Sequence, residues 1–334
     1  MAGLAAAAEA RGRGAEVLHL EKGDVAGGAM LHSSGVIWRH AEWEAFRREC
    51  PDGDPALQRL LFDRLDADLD WLEALGARVT RAETGNPRTI GRRFDPASIV
   101  AALGRDVRLR EPLERLPDAP VVLATGGFAA SAALLREHVT PEPLLRRAPP
   151  WSTGDGLRLG LEAGGTYSAG MGQFYGRAMP AAPLSTERWI TDAQLYARHA
   201  EVADQSGEHY EARTWSEIDV VQWMAGRPGA TAWFTVGAEA LREPTPYGTV
   251  ADQIERAAAA GAAVRRDGER ASVHVAAAVT TTLGGLRVDE RGRAGDGAWA
   301  AGADTGGMAT GGYCSGLAGA LVMGRIAAAA ALEG

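Results

Sequence analysis

Met1-Ala-Gly-Leu-Ala-Ala-Ala-Ala-Glu-Ala-Arg-Gly-Arg-Gly14, followed closely by Val17-Leu-His-Leu-Glu21, is the stretch that decides the fold. Alanine dominates its first part and no β-branched residue interrupts it, so residues 1–14 are expected to be helical until Gly12 and Gly14 end the run. Residues 17–20 form a short apolar segment closing on an acid, the pattern of a buried strand that ends at Glu21. Helix, strand and acid in this order make the back half of a βαβ unit. In a dinucleotide-binding unit the third glycine of GxGxxG lets helix and strand pack closely, and an acid about 20 positions after the first glycine takes the ribose hydroxyls. Gly3 suits the first task and Glu21 the second. The opening strand and the two glycines that turn the chain onto a pyrophosphate are then expected to lie before Met1. A plainer reading stands beside this one: an alanine-rich surface helix followed by an ordinary strand.

Working outward, a Gly/Ser-rich stretch runs over residues 23–35. Residues 41–76 then carry Phe46, Leu57, Leu60, Leu61, Leu65, Leu69 and Leu72 at helical spacing. Val121-Val-Leu-Ala-Thr-Gly-Gly127 reads as a parallel strand that stops at a glycine pair, and residues 131–138 as a helix. Between about 170 and 280 the composition shifts: Trp189, Trp215, Trp223 and Trp233 fall there with four of the six tyrosines, which marks a second, inserted domain. The chain returns with the strand-like Ala298-Trp-Ala-Ala-Gly302 and a glycine-rich loop leading into a small-residue helix over 311–332.

Composition narrows the function classes. The 334 residues are 46% hydrophobic and 23% charged, ordinary for a globular chain with a sizeable core. A net charge of -8 with no basic block removes the electrostatic footprint that nucleic acid requires. Cys50 and Cys314 stand alone without metal-ligand spacing, which suggests neither a disulfide framework nor a metal centre and fits a reducing cytoplasm. Glu9, Arg11 and Arg13 break any signal-peptide pattern at the start. The apolar run 326–332 is far shorter than the roughly 20 residues a membrane span needs.

Several further strings join the opening stretch. In order they are Leu20-Glu-Lys-Gly23, Gly27-Gly28 with Ser33-Ser-Gly35, Ala124-Thr-Gly-Gly-Phe128, Thr153-Gly-Asp-Gly156, Leu283-Gly-Gly-Leu-Arg-Val-Asp289, Ala300-Ala-Gly-Ala-Asp304 and Ser315-Gly-Leu-Ala-Gly-Ala-Leu-Val-Met-Gly-Arg-Ile-Ala327. Their order and spacing over nearly the whole chain resemble the FAD-dependent oxidoreductases of the fumarate reductase, succinate dehydrogenase and 3-ketosteroid dehydrogenase type. The resemblance implies an α/β fold. Its Rossmann-like FAD-binding domain is discontinuous, over 1–171 and 280–334, with an inserted α+β capping domain over 172–279.

It also implies an FAD site. Gly3, Glu21 and Lys22 would serve the nucleotide end, and Gly27, Gly28 and Gly35 would let backbone amides approach the ligand. Ser33 and Ser34 would offer hydroxyls. Ala124, Thr125 and Gly126 would line the adenosine side, with Asp155 and Asp304 as acids beside the cofactor. Gly302 precedes Asp304, and Ser315, Gly316 and Leu317 would open a helix whose positive end faces the flavin. His32 raises the question of covalent attachment, but Met30-Leu-His-Ser-Ser matches the linking string poorly, so noncovalent FAD is expected.

The substrate side departs from the resemblance. The proton-donor arginine of fumarate reductases falls near Ile218, its paired histidines on Thr280 and Thr281, and a further histidine on Tyr175. A less charged small molecule than fumarate is therefore expected, with Tyr175, Arg177 and Tyr313 as acid–base candidates or as packing residues. His199 has the same two readings, packing being favoured. The implied activity is hydride transfer between flavin and a carbonyl-activated carbon–carbon bond, with the electron partner unassigned. A flavin oxidase, or a non-catalytic protein with an incomplete FAD site, are the alternatives.

Overall fold

A computed structural model describes residues 1–212 and 218–334. Trp215, counted above with the inserted domain, lies outside them. In chain order the elements are α1 (Ala2–Gly12), β1 (His19–Glu21), β2 (Val36–His40), α2 (Trp43–Glu49), α3 (Pro55–Ala74), β3 (Val79–Arg81), β4 (Thr89–Phe94), α4 (Pro96–Leu103), β5 (Val107–Leu109), β6 (Val121–Leu123), α5 (Ala132–His138), β7 (Leu145–Arg146), α6 (Asp155–Glu162) and β8 (Phe174–Pro180). They continue with β9 (Glu201–Ala203), α7 (Ile218–Ala225), β10 (Thr231–Val236), β11 (Pro244–Thr245), β12 (Gly248–Thr249), α8 (Val250–Ala259), β13 (Val264–Asp267), β14 (Arg270–Thr282), β15 (Arg293–Gly295), β16 (Ala298–Ala300) and α9 (Gly316–Ala331). The chain divides into two compact units. One comprises Met1–Leu134, Pro149–Gln173 and Thr281–Gly334; the other Leu135–Ala148 and Phe174–Thr280.

The first unit is Rossmann-like. β1 pairs in parallel with β5, β16 pairs in parallel with β6, and antiparallel β15 follows on β16. Helices α1 and α9 pack through small residues: a Cβ on Gly324 would stand 2.6 Å from the Ala2 carbonyl oxygen, so only glycine permits that approach. Asp54 caps α3 by accepting from the Ala56 and Leu57 amides, with Pro55 at the first helical position. Leu57, Leu61, Leu65, Leu69 and Leu72 then bury one face at the helical spacing read from the sequence.

Arg325 ties three of these helices together. Its Nε donates to Glu9 Oε2 on α1 at 2.8 Å, its Nη1 to Asp68 on α3, and its guanidinium lies 4.2 Å from the Trp71 ring centroid. Burial alone would raise the Glu9 carboxyl; hydrogen bonds from Arg13 and Arg325 more than offset it and hold it below the usual range. Asp68 is pushed up by burial despite the same arginine.

Beside these, β2, β4 and β3 form an antiparallel sheet that the sequence reading did not anticipate.

The second unit is built on a sheet of order β13-β14-β10-β9, with β7 and β8 also pairing with β14. Alternation sets its inner face. Ala232, Phe234 and Val236 of β10 and Val273 and Val275 of β14 are buried, and Tyr196 meets Phe234 edge-on at 5.8 Å. Helix α8 starts with a capping box in which Thr249 and Asp252 exchange hydrogen bonds. Among the described residues no helix is long and apolar enough to cross a membrane.

Candidate functional site

The strand end of β6 leads into Ala124-Thr-Gly-Gly127, where Gly126 and Gly127 have φ of 94° and 72°. Left-handed backbone suits glycine, and it turns successive amides the same way. Asp304 holds this loop from behind. Its carboxylate accepts from the Thr125 amide, from Thr125 Oγ1 at 3.0 Å and from the Gly127 amide at 3.1 Å. Asp304 is 0% exposed, and burial pushes its carboxyl above the usual range against those hydrogen bonds. A Cβ on Gly156 would stand 2.6 Å from the same carboxylate, so the glycine at the start of α6 is needed for the clamp to close. The acid expected beside the cofactor thus directs both oxygens onto the protein's own loop.

A second group gathers at the end of β1. Glu21 Oε1 accepts from the Gly23 amide at 2.7 Å. Lys22 Nζ donates to Thr153 Oγ1 at 2.7 Å and to Asp155 Oδ2 at 2.8 Å, and both charged side chains are about 30% exposed. Gly3 lies beneath: a Cβ there would stand 3.3 Å from His19 Nε2 and 3.5 Å from Ala124 Cβ, so the helix sits tight on both strand ends.

The 27–35 stretch is shaped by backbone as much as by hydroxyls. Gly27 and Gly28 have positive φ and open a short turn over Gly28–His32. Ser33 Oγ donates to the Met30 carbonyl at 2.7 Å and accepts from the Gly35 amide at 3.1 Å, so it fastens the turn itself. A Cβ on Gly35 would stand 2.1 Å from the Phe94 carbonyl oxygen, which makes this glycine a requirement of the neighbouring strand. Ser34 is half-buried beside it, and burial lowers the His32 imidazole below its ordinary value.

At the start of α9 Ser315 Oγ caps the helix by accepting from the Ala318 amide at 3.3 Å. Gly316 is exposed and Leu317 half-buried. A Cβ at Gly316 would meet nothing within 4 Å, so packing does not demand glycine there, and the positive end of the helix borders open space at that residue. Gly302 has φ of 70° and approaches Ala2. In the preceding loop the Tyr313 ring meets Trp38 edge-on at 5.9 Å, and its carbonyl lies 3.4 Å from His40 Nε2. Gln58, which the sequence reading passed over, donates to the Cys50 and Met308 carbonyls at 3.0 and 2.8 Å and fixes the loop from below. A polar residue on the buried stripe of α3 was its one signal. Burial raises both thiols, Cys314 to about 12, so neither is poised to react.

In the second unit Tyr175 and Arg177 lie on β8, with the guanidinium 5.0 Å from the Tyr175 ring centroid. Ile218 is 1% exposed. Thr280 Oγ1 accepts from Arg147 Nη1 at 2.9 Å, and His199 Nε2 accepts from Arg198 Nε at 3.2 Å. Thr281, in the first unit, donates to the Thr282 carbonyl at 3.4 Å.

A family model described as FAD binding domain matches residues 1–105 and 100–318. The chain belongs to that family. Its fold is shared with a flavocytochrome c3 fumarate reductase, at TM-score 0.70 and 19% identity over 99% of this chain and 76% of the other. It is also shared with the 3-ketosteroid-delta4-(5alpha)-dehydrogenase of Rhodococcus jostii RHA1, at 0.65 and 17% over 99% and 94%. A third similar structure is the 3-ketosteroid delta1-dehydrogenase of Sterolibacterium denitrificans, at 0.69 and 15% over 100% and 98%. No curated protein matches significantly. FAD is the cofactor of this family, and the exposed Gly316 at the positive end of α9, with open space beside it, leaves room for an anionic ligand.

Proposed function

We propose that the protein is an FAD-dependent oxidoreductase acting on a carbonyl-activated carbon–carbon bond of a small organic substrate other than fumarate. The match of the FAD binding domain family across residues 1–318 carries the reading. Glu21, Lys22 and Asp155 hold the nucleotide end, the 124–127 loop and the Gly27–Gly28 turn lie along the ligand, and the α9 N-terminus supports the flavin pyrimidine. FAD, when bound, supplies hydride chemistry. The chain's own groups supply proton handling. Tyr175 carries a phenolic donor under the Arg177 guanidinium, and Tyr313 carries another on the loop before α9. With Ile218, Thr280 and Thr281 at positions where fumarate reductases carry cationic or proton-donating groups, a dicarboxylate finds no matching charge there.

The test is purification with FAD followed by single-turnover flavin reduction against a panel of saturated ketones, and reoxidation of reduced protein by enones and by fumarate. Turnover with an enone or ketone and negligible turnover with fumarate are expected. Tyr175→Phe or Tyr313→Phe should slow the productive reaction by about 10²- to 10⁴-fold, the usual range for general acid–base help. Rates within about threefold of wild type for both would assign the tyrosines to packing. Rapid fumarate turnover would overturn the substrate class, and stoichiometric hydrogen peroxide would favour an oxidase.

A further inference from the structure

Trp151 is one of the large apolar side chains left in solvent, at 42% exposure. It is not loosely held. The Ser152 amide donates to the Pro149 carbonyl at 3.2 Å and the Thr153 amide to the Trp151 carbonyl at 2.9 Å, while the Ala130 amide donates to the Ser152 carbonyl at 2.9 Å. The turn is thus pinned to the loop that follows β6. Its indole reaches over the end of β1: a Cβ on Gly23 would lie 2.7 Å from Trp151 Cδ1 and 2.9 Å from Nε1, and 3.1 Å from Glu21 Oε1. Glycine at 23 therefore lets the indole and the strand-end carboxylate converge on one spot. Thr153, two residues after the indole, receives the Lys22 ammonium.

A strand-end acid takes the ribose hydroxyls in this kind of nucleotide site, so the base lies just beyond it. A rigid, half-exposed indole at that place offers a flat face, and base–aromatic stacking needs no particular hydrogen-bond pattern. We propose that Trp151 is the stacking platform for the adenine ring of FAD, a role that rests on the FAD reading of the β1 end.

The experiment compares wild type, Trp151→Phe and Trp151→Leu in FAD titrations and in thermal unfolding without FAD. Stacking on a side chain is typically worth enough that the Leu variant should bind FAD about tenfold or more weakly, with the Phe variant within about threefold of wild type. Melting temperatures without FAD should coincide. A second readout does not depend on the Leu variant: FAD should quench a larger share of tryptophan emission in wild type than in Trp151→Phe. Equal FAD affinity in wild type and Trp151→Leu, or equal quenching, overturns the proposal and leaves the indole as a cover for Gly23. A wild type that takes up no FAD sinks the cofactor reading and this one with it, and the missing flavin absorbance tells that failure from the first.

Discussion

Asp304 and Asp155 belong to the same unit and meet at the start of α6, where Asp304 lies against Gly156 and Asp155 is the first helical residue, yet they live in different physical regimes. Asp304 is wholly buried and spends its carboxylate on backbone amides and the Thr125 hydroxyl. Asp155 stands at the rim, paired with Lys22 in partial solvent. The inner acid builds the 124–127 loop, and the outer acid keeps its oxygens at the half-exposed rim. Equal residue type therefore says little about role; the direction of the oxygens and the surrounding dielectric decide it.

The largest effect expected from that contrast is on stability. Asp304→Ala takes the acceptor from the buried Gly127 amide and from the part-buried Thr125 amide and hydroxyl; an orphaned buried group costs about 1–3 kcal/mol, so the fold should lose about 2 kcal/mol or more. Asp304→Asn keeps one oxygen and should lose less. Urea unfolding of the three proteins without FAD measures this. A loss under about 1 kcal/mol for Asp304→Ala would place the carboxylate outside the frame and erase the distinction.

The contrast also explains what could be read in advance. The helix over residues 1–14, the strand ending at Glu21, the leucine stripe of α3 and the strand before Gly126 were legible because periodicity and glycine punctuation are local signals. The β2-β4-β3 sheet was not. Its strands are short, and the β2–β4 pairing joins residues some fifty positions apart, as His40 with Thr89, which no local pattern encodes. For the candidate site the sequence carries residue types but not side-chain orientations. Asp304 and Ser33 were read as ligand groups, and both turn onto their own backbone. Gly35 was read as room for a ligand, and the space it leaves is filled by the Phe94 carbonyl.

A middle-sized effect sharpens the inner side of the comparison through pH. His19, in β1 beside Gly3, has a buried Nδ1 without a partner among the described residues. Burial, helped by the Arg11 charge, depresses its imidazole to about 4 from an ordinary 6.5. The unfolded chain then takes up a proton near pH 6.5 that the folded chain refuses until about pH 4. Stability is full above the higher value and falls as pH drops through that window. Because the ring is partly open to solvent the contribution is at most about 2 kcal/mol. His19→Gln should flatten the urea midpoint between pH 4 and 6.5 relative to wild type; parallel curves would show that the ring titrates freely.

The smallest stability effect belongs to the outer acid, and it separates two ways the rim can meet FAD. A half-exposed ion pair is worth about 0–1 kcal/mol, so Asp155→Ala and Lys22→Ala should each leave FAD-free unfolding nearly unchanged. Binding is where they differ. If the ammonium meets the ligand's phosphates, Lys22→Ala weakens FAD, while Asp155→Ala frees the ammonium from its neutralising partner and leaves affinity equal or higher. If the carboxylate meets a ribose hydroxyl, Asp155→Ala weakens FAD, by about tenfold for one hydrogen bond to a charged group. We expect the second pattern, because Asp155 opens α6 beside Thr153 and the same segment reaches the Glu21 end through Lys22. Raising salt from about 50 to 500 mM supplies an independent sign: a phosphate contact is screened and FAD affinity falls, whereas a short hydroxyl–carboxylate bond changes little. Loss of stability in Asp155→Ala as large as in Asp304→Ala would show that both acids build the frame, and that the rim is part of the core.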